Sequence, residues 1–503
     1  MRHSARSFTW LLLLLALALR IEHRYAYRNV FLDTEVQAAA AWQLMQGRGL
    51  VTPQVAADLS QTDYVPLRVF MPGYAQALRP WLWLTRDPYW AILALDVLSL
   101  VLVFGAMPVL LRQLTGTWHS RAARWLYVFL ALSPAPLHYL TSSGLWSLSW
   151  LMVAWVSWLL AEEQPAWRRG AWSLLALGCC LLAAWSRSAY LPLVGLPLAL
   201  WGWSRRWNWR EGLLLALATA LGLWLVLHDS PVLGAYAATQ GPSWYPAHLL
   251  RVEPFALKAF VYYGLPHEAA LQARAPALYG LGKAAAHLLS LTLWLLALRG
   301  AWLTRHNPTR WAFHGLWLLS GAAVLATLAY QSLRHPPESW NEIGFWTYLM
   351  EPRYYAPLML GLLLWLFVWA DQAPRDGWRN ALRLWLLAAT LAAYSYPLWL
   401  KLRLHLLDDP QGTFLADPVP RWTRQAQAIA DTASLPLRVV YGGPGRAAEM
   451  VGVPMLSPAR WDSLRRVSPA HPVYVLQWPP TDSDALPRLQ RWPAPDAPPP
   501  MAP

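Results

Sequence analysis

Cysteine is nearly missing from this chain. Its 503 residues include two, Cys179 and Cys180, adjacent inside an apolar run. Neighbours in one helix do not meet disulfide geometry, so there is no disulfide framework and the pair reads as small apolar packing residues. Charge is scarce as well. Asp, Glu, Lys and Arg make up 14% of the sequence while 56% is hydrophobic, against roughly 25% charged residues in soluble domains. A soluble protein has no way to hide that much apolar surface. Acidic residues are the scarcer sign, 27 against 41 basic, which leaves a net charge of +14. Most of that excess lies in connections between apolar runs, where membrane insertion accounts for it, and this argues against a nucleic-acid partner.

Familiar chemical signatures are missing too. His267-Glu268 lacks the second histidine of a zinc helix motif, and the other histidines are scattered. There is no serine nucleophile elbow, no Walker pattern and no dinucleotide fingerprint. No internal repeat of fixed period is visible. The expectation is a protein without a metal site and without a cofactor.

What the chain does have is about eleven apolar segments, at 7–24, 89–111, 122–139, 143–161, 170–187 and 189–203, then 211–228, 284–302, 311–330, 355–370 and 380–400. Nearly every second connection is arginine-rich. Arg2 and Arg6 precede the first segment, and Arg112, Arg121 and Arg124 follow the second. Arg168 and Arg169 follow the fourth, Arg205, Arg206 and Arg210 the sixth, Arg299, Arg305 and Arg310 the eighth, and Arg375, Arg379 and Arg383 the tenth. This is the positive-inside pattern of a polytopic membrane protein, with the arginine-rich loops and the N-terminus cytoplasmic. The start also resembles a signal peptide, with Ala16-Leu17-Ala18 as a cleavage site, and the later topology is the same either way. The sixth segment is short, and the fifth and sixth could form one reentrant pair.

The expected fold is an all-α polytopic membrane domain over 1–401, followed by a small outward α/β appendage over 402–503. Three long regions face outward, at 25–88, at 229–283 and, shorter, at 331–357. In the first, 34–47 reads as a helix stopped by Gly47 and Gly49, and 67–84 reads as an interfacial helix with Trp81 and Trp83 at the headgroup level. In the appendage, 437–441 and 473–477 read as strands. Between them, Gly442-Gly443-Pro444-Gly445 precedes a short helix at 446–451, and the tail from Pro493 reads as disordered. Pro444 removes one donor N–H, so the glycine stretch reads as a plain turn rather than a phosphate loop.

Four places carry charge where chemistry could use it. Asp33 and Glu35 stand just beyond the first span. They are either an ordinary acidic first helical turn or a general base at the water–lipid boundary. Arg353 and Tyr354 stand where a loop re-enters the membrane, as an interfacial anchor pair or as an anion clamp. Arg187 is a cation in an otherwise neutral outward turn. An Arg at membrane depth costs about 2.5–3.5 kcal/mol on insertion scales, so it is a site candidate by default. Asp96, inside the second span, either pairs with a cation, caps a polar cavity or makes a helix-packing hydrogen bond.

Taken in order, several stretches resemble the integral-membrane glycosyltransferases of the C superfamily, in particular the bacterial relatives of protein O-mannosyltransferases and lipid A aminoarabinose transferase. Asp33-x-Glu35 followed by Ala39, Leu44 and Gly47-Arg48-Gly49 is similar to that family's first-loop pattern. So are Met71-Pro72-Gly73-Tyr74, the turn from Leu132-Ser133-Pro134 to Trp146, the arginine-containing turn at 184–192, and Glu351-Pro352-Arg353-Tyr354-Tyr355-Ala356-Pro357. The likeness covers about residues 1–400. It departs where Thr34 separates two acids that are adjacent in many members. Asp33 is the preferred base, because its distance to Gly47 suits the single-acid version, and Glu35 is second.

The resemblance implies transfer of a sugar from a polyprenyl-phosphate carrier to a hydroxyl acceptor at the periplasmic face of a bacterial inner membrane. It implies a one-step inverting displacement with a carboxylate base. Asp33 or Glu35 takes the acceptor's proton, and Arg353, Tyr354, Arg187 and Lys258 lie near the donor phosphate. The partners are the lipid-linked donor, a lipid, glycan or protein acceptor, and membrane lipids. The alternative is a transporter or flippase of lipid-linked saccharide without enzymatic activity. It would favour charged, broken helices near midplane in two related halves.

Overall fold

The structure, a computed structural model, describes residues 2–26, 32–67, 70–132, 137, 140–204, 208–228, 275–334, 356–372, 418–441, 448–466, 471–478 and 487–493. It divides into two compact units. One comprises Met1–Arg24 with Asp96–Asp409, the other Tyr25–Leu95 with Pro410–Pro503. The first long loop is therefore grouped with the C-terminal region, although the bulk of the chain lies between them in sequence.

The first unit is helical. It holds most of α1 (Arg2–Ala26) and of α4 (Pro88–Thr115), then α5 (Arg121–Leu132), α6 (Ser142–Glu162), α7 (Ala166–Ser186), α8 (Leu196–Trp203) and α9 (Trp209–His228). It continues with α10 (Pro276–Leu303), α11 (Pro308–Arg334) and α12 (Ala356–Gln372). Among the described residues, four helices are long and apolar enough to cross a membrane: α4, α6, α7 over Arg168–Ser186, and α9. The eleventh predicted span, 380–400, lies outside the described residues. The predicted sixth span is no single helix. Residues Ser188–Gly195 form a 3-10 stretch containing Pro192, and the eight-residue α8 follows. Prolines 192 and 197 lack the N–H that a continuous α-helix needs. At roughly 2.0 Å rise per 3-10 residue and 1.5 Å per α residue, the two pieces still reach about 28 Å, close to a hydrocarbon thickness of about 30 Å.

The core of this unit is centred on α12, where every residue from Ala356 to Leu366 is buried. Gly361 lets α12 close onto α11, since a Cβ there would fall on Trp317 and near Trp155. The two tryptophans are fully buried, Trp155 Nε1 donates to Ser320 Oγ (3.2 Å), and Phe129 meets Phe367 at 5.7 Å. By contrast α9 leaves Leu213, Leu214, Leu217, Leu221, Trp224 and Leu225 exposed. An apolar face of that size suits a lipid surround and would be a liability in water.

The second unit is mixed. Helix α2 (Leu32–Met45) leads into an antiparallel hairpin of β1 (Val51–Val55) and β2 (Thr62–Pro66), with Val51 opposite Pro66 and Val55 opposite Thr62. Helix α3 (Pro72–Thr85) follows, burying Tyr74, Leu78 and Leu82 and exposing Trp83. From the C-terminal region come α13 (Pro418–Thr432), β3 (Leu437–Val440), β4 (Met455–Leu456), α14 (Pro458–Leu464), β5 (Val473–Gln477) and β6 (Arg488–Trp492). The sheet runs β4-β3-β5-β6, with β3 parallel to both neighbours and β6 antiparallel to β5. All four residues of β3 are buried, as a central strand requires.

The two predicted C-terminal strands are present at β3 and β5. The predicted helix at 446–451 is instead a 3-10 turn, Glu449–Val451, among the described part of that segment. A run of three residues before Gly452 is too short for an α-helix, and Gly452 ends it in the left-handed region with φ +85°.

Candidate functional site

Each unit carries one group of site candidates. In the second unit they stand on α2. Asp33 and Glu35 both fall in its first turn, where the unsatisfied N–H groups favour negative charge. Positions two apart point to nearly opposite sides of a helix, so the two carboxylates cannot work side by side. Glu35 is turned inward, 7% exposed, beside fully buried Thr34 and Gln37, while Asp33 is half-buried. Gln37 Nε2 donates back to the Asp33 carbonyl (3.0 Å). Residues Ala38, Ala39, Ala40 and Ala41 are fully buried, and their small side chains let neighbours approach this helix closely on several sides.

In the first unit the candidates gather around the start of α6. Thr141 caps that helix, its Oγ1 accepting from the Gly144 N–H (3.1 Å). The same oxygen accepts from Arg187 Nη1 (2.6 Å), and Ser143 Oγ lies 3.2 Å away. Arg187 closes α7 in an extended conformation, φ −152°, with its own N–H bonded to the Ala183 and Ala184 carbonyls. Its guanidinium lies over Gly144, because a Cβ there would be 2.5 Å from Nη1. Arg187 is only 8% exposed. One residue along, Ser142 Oγ donates to Asp96 Oδ2 (3.0 Å), and Arg24 Nη1 stands 3.6 Å from the same oxygen. Arg24 also donates through Nη2 to the carbonyls of Leu137 (3.1 Å) and Leu140 (2.9 Å), and Arg20 Nη2 donates to Ala131 O (2.9 Å). Arg24 and Asp96 are each 3% exposed.

Of the readings for Asp96, two hold at once: it pairs with a cation and makes a helix-packing hydrogen bond. Its partner Arg24 was not singled out in the sequence, nor was Thr141. A signal for Arg24 existed. It closes the first apolar segment as Asp96 opens the second, so a carboxylate buried there has a cation at the same level. Thr141 carries no such mark, since a threonine before an apolar run reads only as a helix cap. Arg353, Tyr354 and Lys258 lie outside the described residues.

In the second unit, Arg438 is buried within the sheet at 2% exposure, donating through Nε to the Leu59 carbonyl (2.6 Å) and through Nη1 to the Leu437 carbonyl (2.9 Å). Burial pulls this guanidinium down to about 10, with Tyr64 and Asp58 acting in the opposite sense. It remains a cation at neutral pH.

No protein-family model matches the chain, and no curated protein is detectably similar in sequence. Solved structures are similar in fold. ArnT from Cupriavidus metallidurans bound to undecaprenyl phosphate matches with a TM-score of 0.50 and 15% identity, over 94% of this chain and 93% of that one. Apo ArnT from the same organism matches with a TM-score of 0.52 and 14% identity, over 95% and 94%. The oligosaccharyltransferase AglB from Archaeoglobus fulgidus, in complex with an inhibitory peptide and a dolichol-phosphate, gives a weaker TM-score of 0.43 at 13% identity, over 94% of this chain and 69% of that one. This chain shares the fold of the two ArnT structures along nearly its whole length, and its apolar, membrane-length helices make it a multi-pass membrane protein.

Proposed function

We propose that this protein transfers a sugar from a polyprenyl-phosphate carrier to a hydroxyl acceptor at the periplasmic face of a bacterial inner membrane. In this reading the chain crosses the membrane about eleven times, and the arginine-rich connections are cytoplasmic. The observation that carries the reading is the end-to-end likeness to ArnT, crystallised with undecaprenyl phosphate, in a chain that has an acid-bearing helix directly after its first apolar helix. Buried arginine beside a helix N-terminus adds to it, since both favour an anion.

The chemistry is a single displacement. The acceptor oxygen bonds to the anomeric carbon as the bond from that carbon to the phosphate oxygen breaks, and the polyprenyl phosphate leaves with the bonding pair. The configuration at the anomeric carbon inverts. Asp33, half-buried in the first turn of α2, takes the acceptor's proton, while Glu35 is turned inward. Glu35 is the second candidate. Such a base contributes roughly 10²–10⁴ in rate. Phosphate is already a good leaving group, so cations suffice on the donor side. Arg187, with Arg353, Tyr354 and Lys258, fills that role.

The test is transfer from radiolabelled polyprenyl-phosphate sugars into membrane lipids, proteins and glycans, comparing the natural chain with Asp33→Asn. Label incorporated by the natural chain and lost in the variant is the expected result. Equal labelling by both removes Asp33 from the chemistry and points to Glu35. The absence of label with every donor sinks the transferase reading and favours a transporter of lipid-linked saccharide.

A further inference from the structure

Helix α2 is poorly equipped to hold itself. Fourteen residues is near the length at which an isolated helix is marginal in water, and its last turn carries no basic residue. Its position depends on what packs against it. One neighbour is α3, close by in sequence; another is the 3-10 turn Glu449–Val451, from the far end of the chain.

The contact with that turn is tight. Gly452 ends it with φ +85°, and a Cβ at this residue would stand 2.8 Å from Trp42 Nε1, 2.9 Å from Trp42 Cδ1 and 3.3 Å from Gln43 Nε2. Only a glycine both adopts that conformation without strain and leaves room for the indole. A second route returns through the hairpin. Gln43 Oε1 accepts from Arg48 Nη1 (3.0 Å), and the Arg48 guanidinium lies 5.0 Å above the Tyr64 ring on β2. The hairpin in turn gives the Leu59 carbonyl to Arg438 and the Val55 carbonyl to Arg460 Nη2 (2.9 Å). A third arginine, Arg424, pairs with Asp87 just after α3 (2.5 Å). Three arginines of the C-terminal region thus each end on the first-loop segment.

We propose that the C-terminal module is a brace for α2: Gly452 on Trp42, and Arg438 on the Leu59 carbonyl, set where the acid-bearing helix stands. They are positioning residues. The inference deepens the transferase reading and rests on it for its functional half, since a brace matters to chemistry only if an acid on α2 is the base. It assigns a task to a region that looks like an appendage in the sequence.

The test uses the full chain in lipid nanodiscs, with Gly452→Val and the milder Arg438→Lys, which keeps the charge but loses the fork of donors. Amide hydrogen exchange is followed on α2 and on β5, beside steady-state transfer across a pH series with Asp33→Asn as reference. The expected result is exchange on α2 at least about tenfold faster with β5 unchanged. Turnover falls about 10- to 100-fold while the donor KM stays within about twofold, as displacement of a reacting group predicts. The pH profile of the two variants keeps the shape of the natural chain's. Unaltered exchange on α2 in both variants overturns the brace, and so does faster exchange with undiminished turnover. A natural chain that transfers no sugar from any donor sinks the transferase reading instead, and the exchange data then decide the mechanical half on their own.

Discussion

A methyl group added at Gly144 would meet Arg187 Nη1 at 2.5 Å, with the Thr141 hydroxyl at 3.1 Å and Leu140 Cδ2 at 3.4 Å. The first distance is untenable for a real Cβ. The atom that must yield is the tip of a long, flexible side chain, so in Gly144→Ala the guanidinium moves and α6 stays. The bond from Arg187 to Thr141 Oγ1, now 2.6 Å, is lost or bent. A hydrogen bond with a charged donor is worth about 1.5–3 kcal/mol. Alanine in a helix returns up to about 1 kcal/mol over glycine. The net loss is then about 0.5–2 kcal/mol, a shift of a few degrees in Tm.

Donor binding should respond more strongly than stability. If Arg187 also contacts the carrier phosphate, moving it removes a second charge-assisted contact of about 1.5–3 kcal/mol, which weakens binding about 10- to 100-fold. The assay is equilibrium binding of undecaprenyl phosphate to the purified chain in nanodiscs, run beside Arg187→Lys and Arg187→Ala. Lysine keeps the charge and loses the planar fork, so the expected order is natural chain tightest, Gly144→Ala and Arg187→Lys intermediate, Arg187→Ala weakest. Binding constants unchanged in all three, alongside a measurable drop in Tm, would refute the reasoning. Arg187 would then only join α7 to α6.

Asp96→Ala should cost about 3–5 kcal/mol in thermal unfolding, because it leaves Arg24 buried without its carboxylate. Asp96→Asn should cost less, since the amide oxygen still accepts from Ser142, and equal losses in the two variants would mean that the ion pair alone, and not the Ser142 bond, carries the contribution. Gly361→Ala should lower stability by about 1–3 kcal/mol through overpacking against Trp317, with transfer per folded molecule unchanged. A Tm within one degree of the natural chain would mean that α11 and α12 separate more easily than their packing implies.

The spans were legible because hydrocarbon imposes its own rule on sequence: a run long enough and apolar enough must be a helix. Helices α4, α6, α7 and α9 fall on predicted segments for that reason. The segment at 189–203 was harder, since its apolar run hides two prolines that trade α for 3-10 geometry. Outside the hydrophobic runs the signals thin out. The β1 strand, Val-Thr-Pro-Gln-Val, carries a proline that argues against a strand, and it survives because the hairpin has only two strands and each has an outer edge. Helix α13 buries Val419, Thr423, Ala426 and Ala430, a correct helical period written largely in small residues that barely register as apolar.

The site shows the same division. Charge at membrane depth is costly, so Asp96 and Arg187 announce themselves, and the first-turn acids of α2 follow from position after the first apolar segment. What holds them in place does not announce itself. Thr141 and Ser142 are ordinary hydroxyls until the fold sets one under Arg187 and the other under Asp96. Gly452 is one glycine among many until its backbone meets Trp42. These residues act through contacts between segments far apart in the chain, and no local pattern records such a contact. The same reasoning says where damage should spread. A substitution at Asp33 removes one chemical group, whereas one at Gly452 or Arg438 leaves every chemical group present and displaces the helix that carries them. Activity lost with all site residues intact is therefore the signature to seek in the C-terminal region, and a conservative change there should be felt on α2 before it is felt on β5.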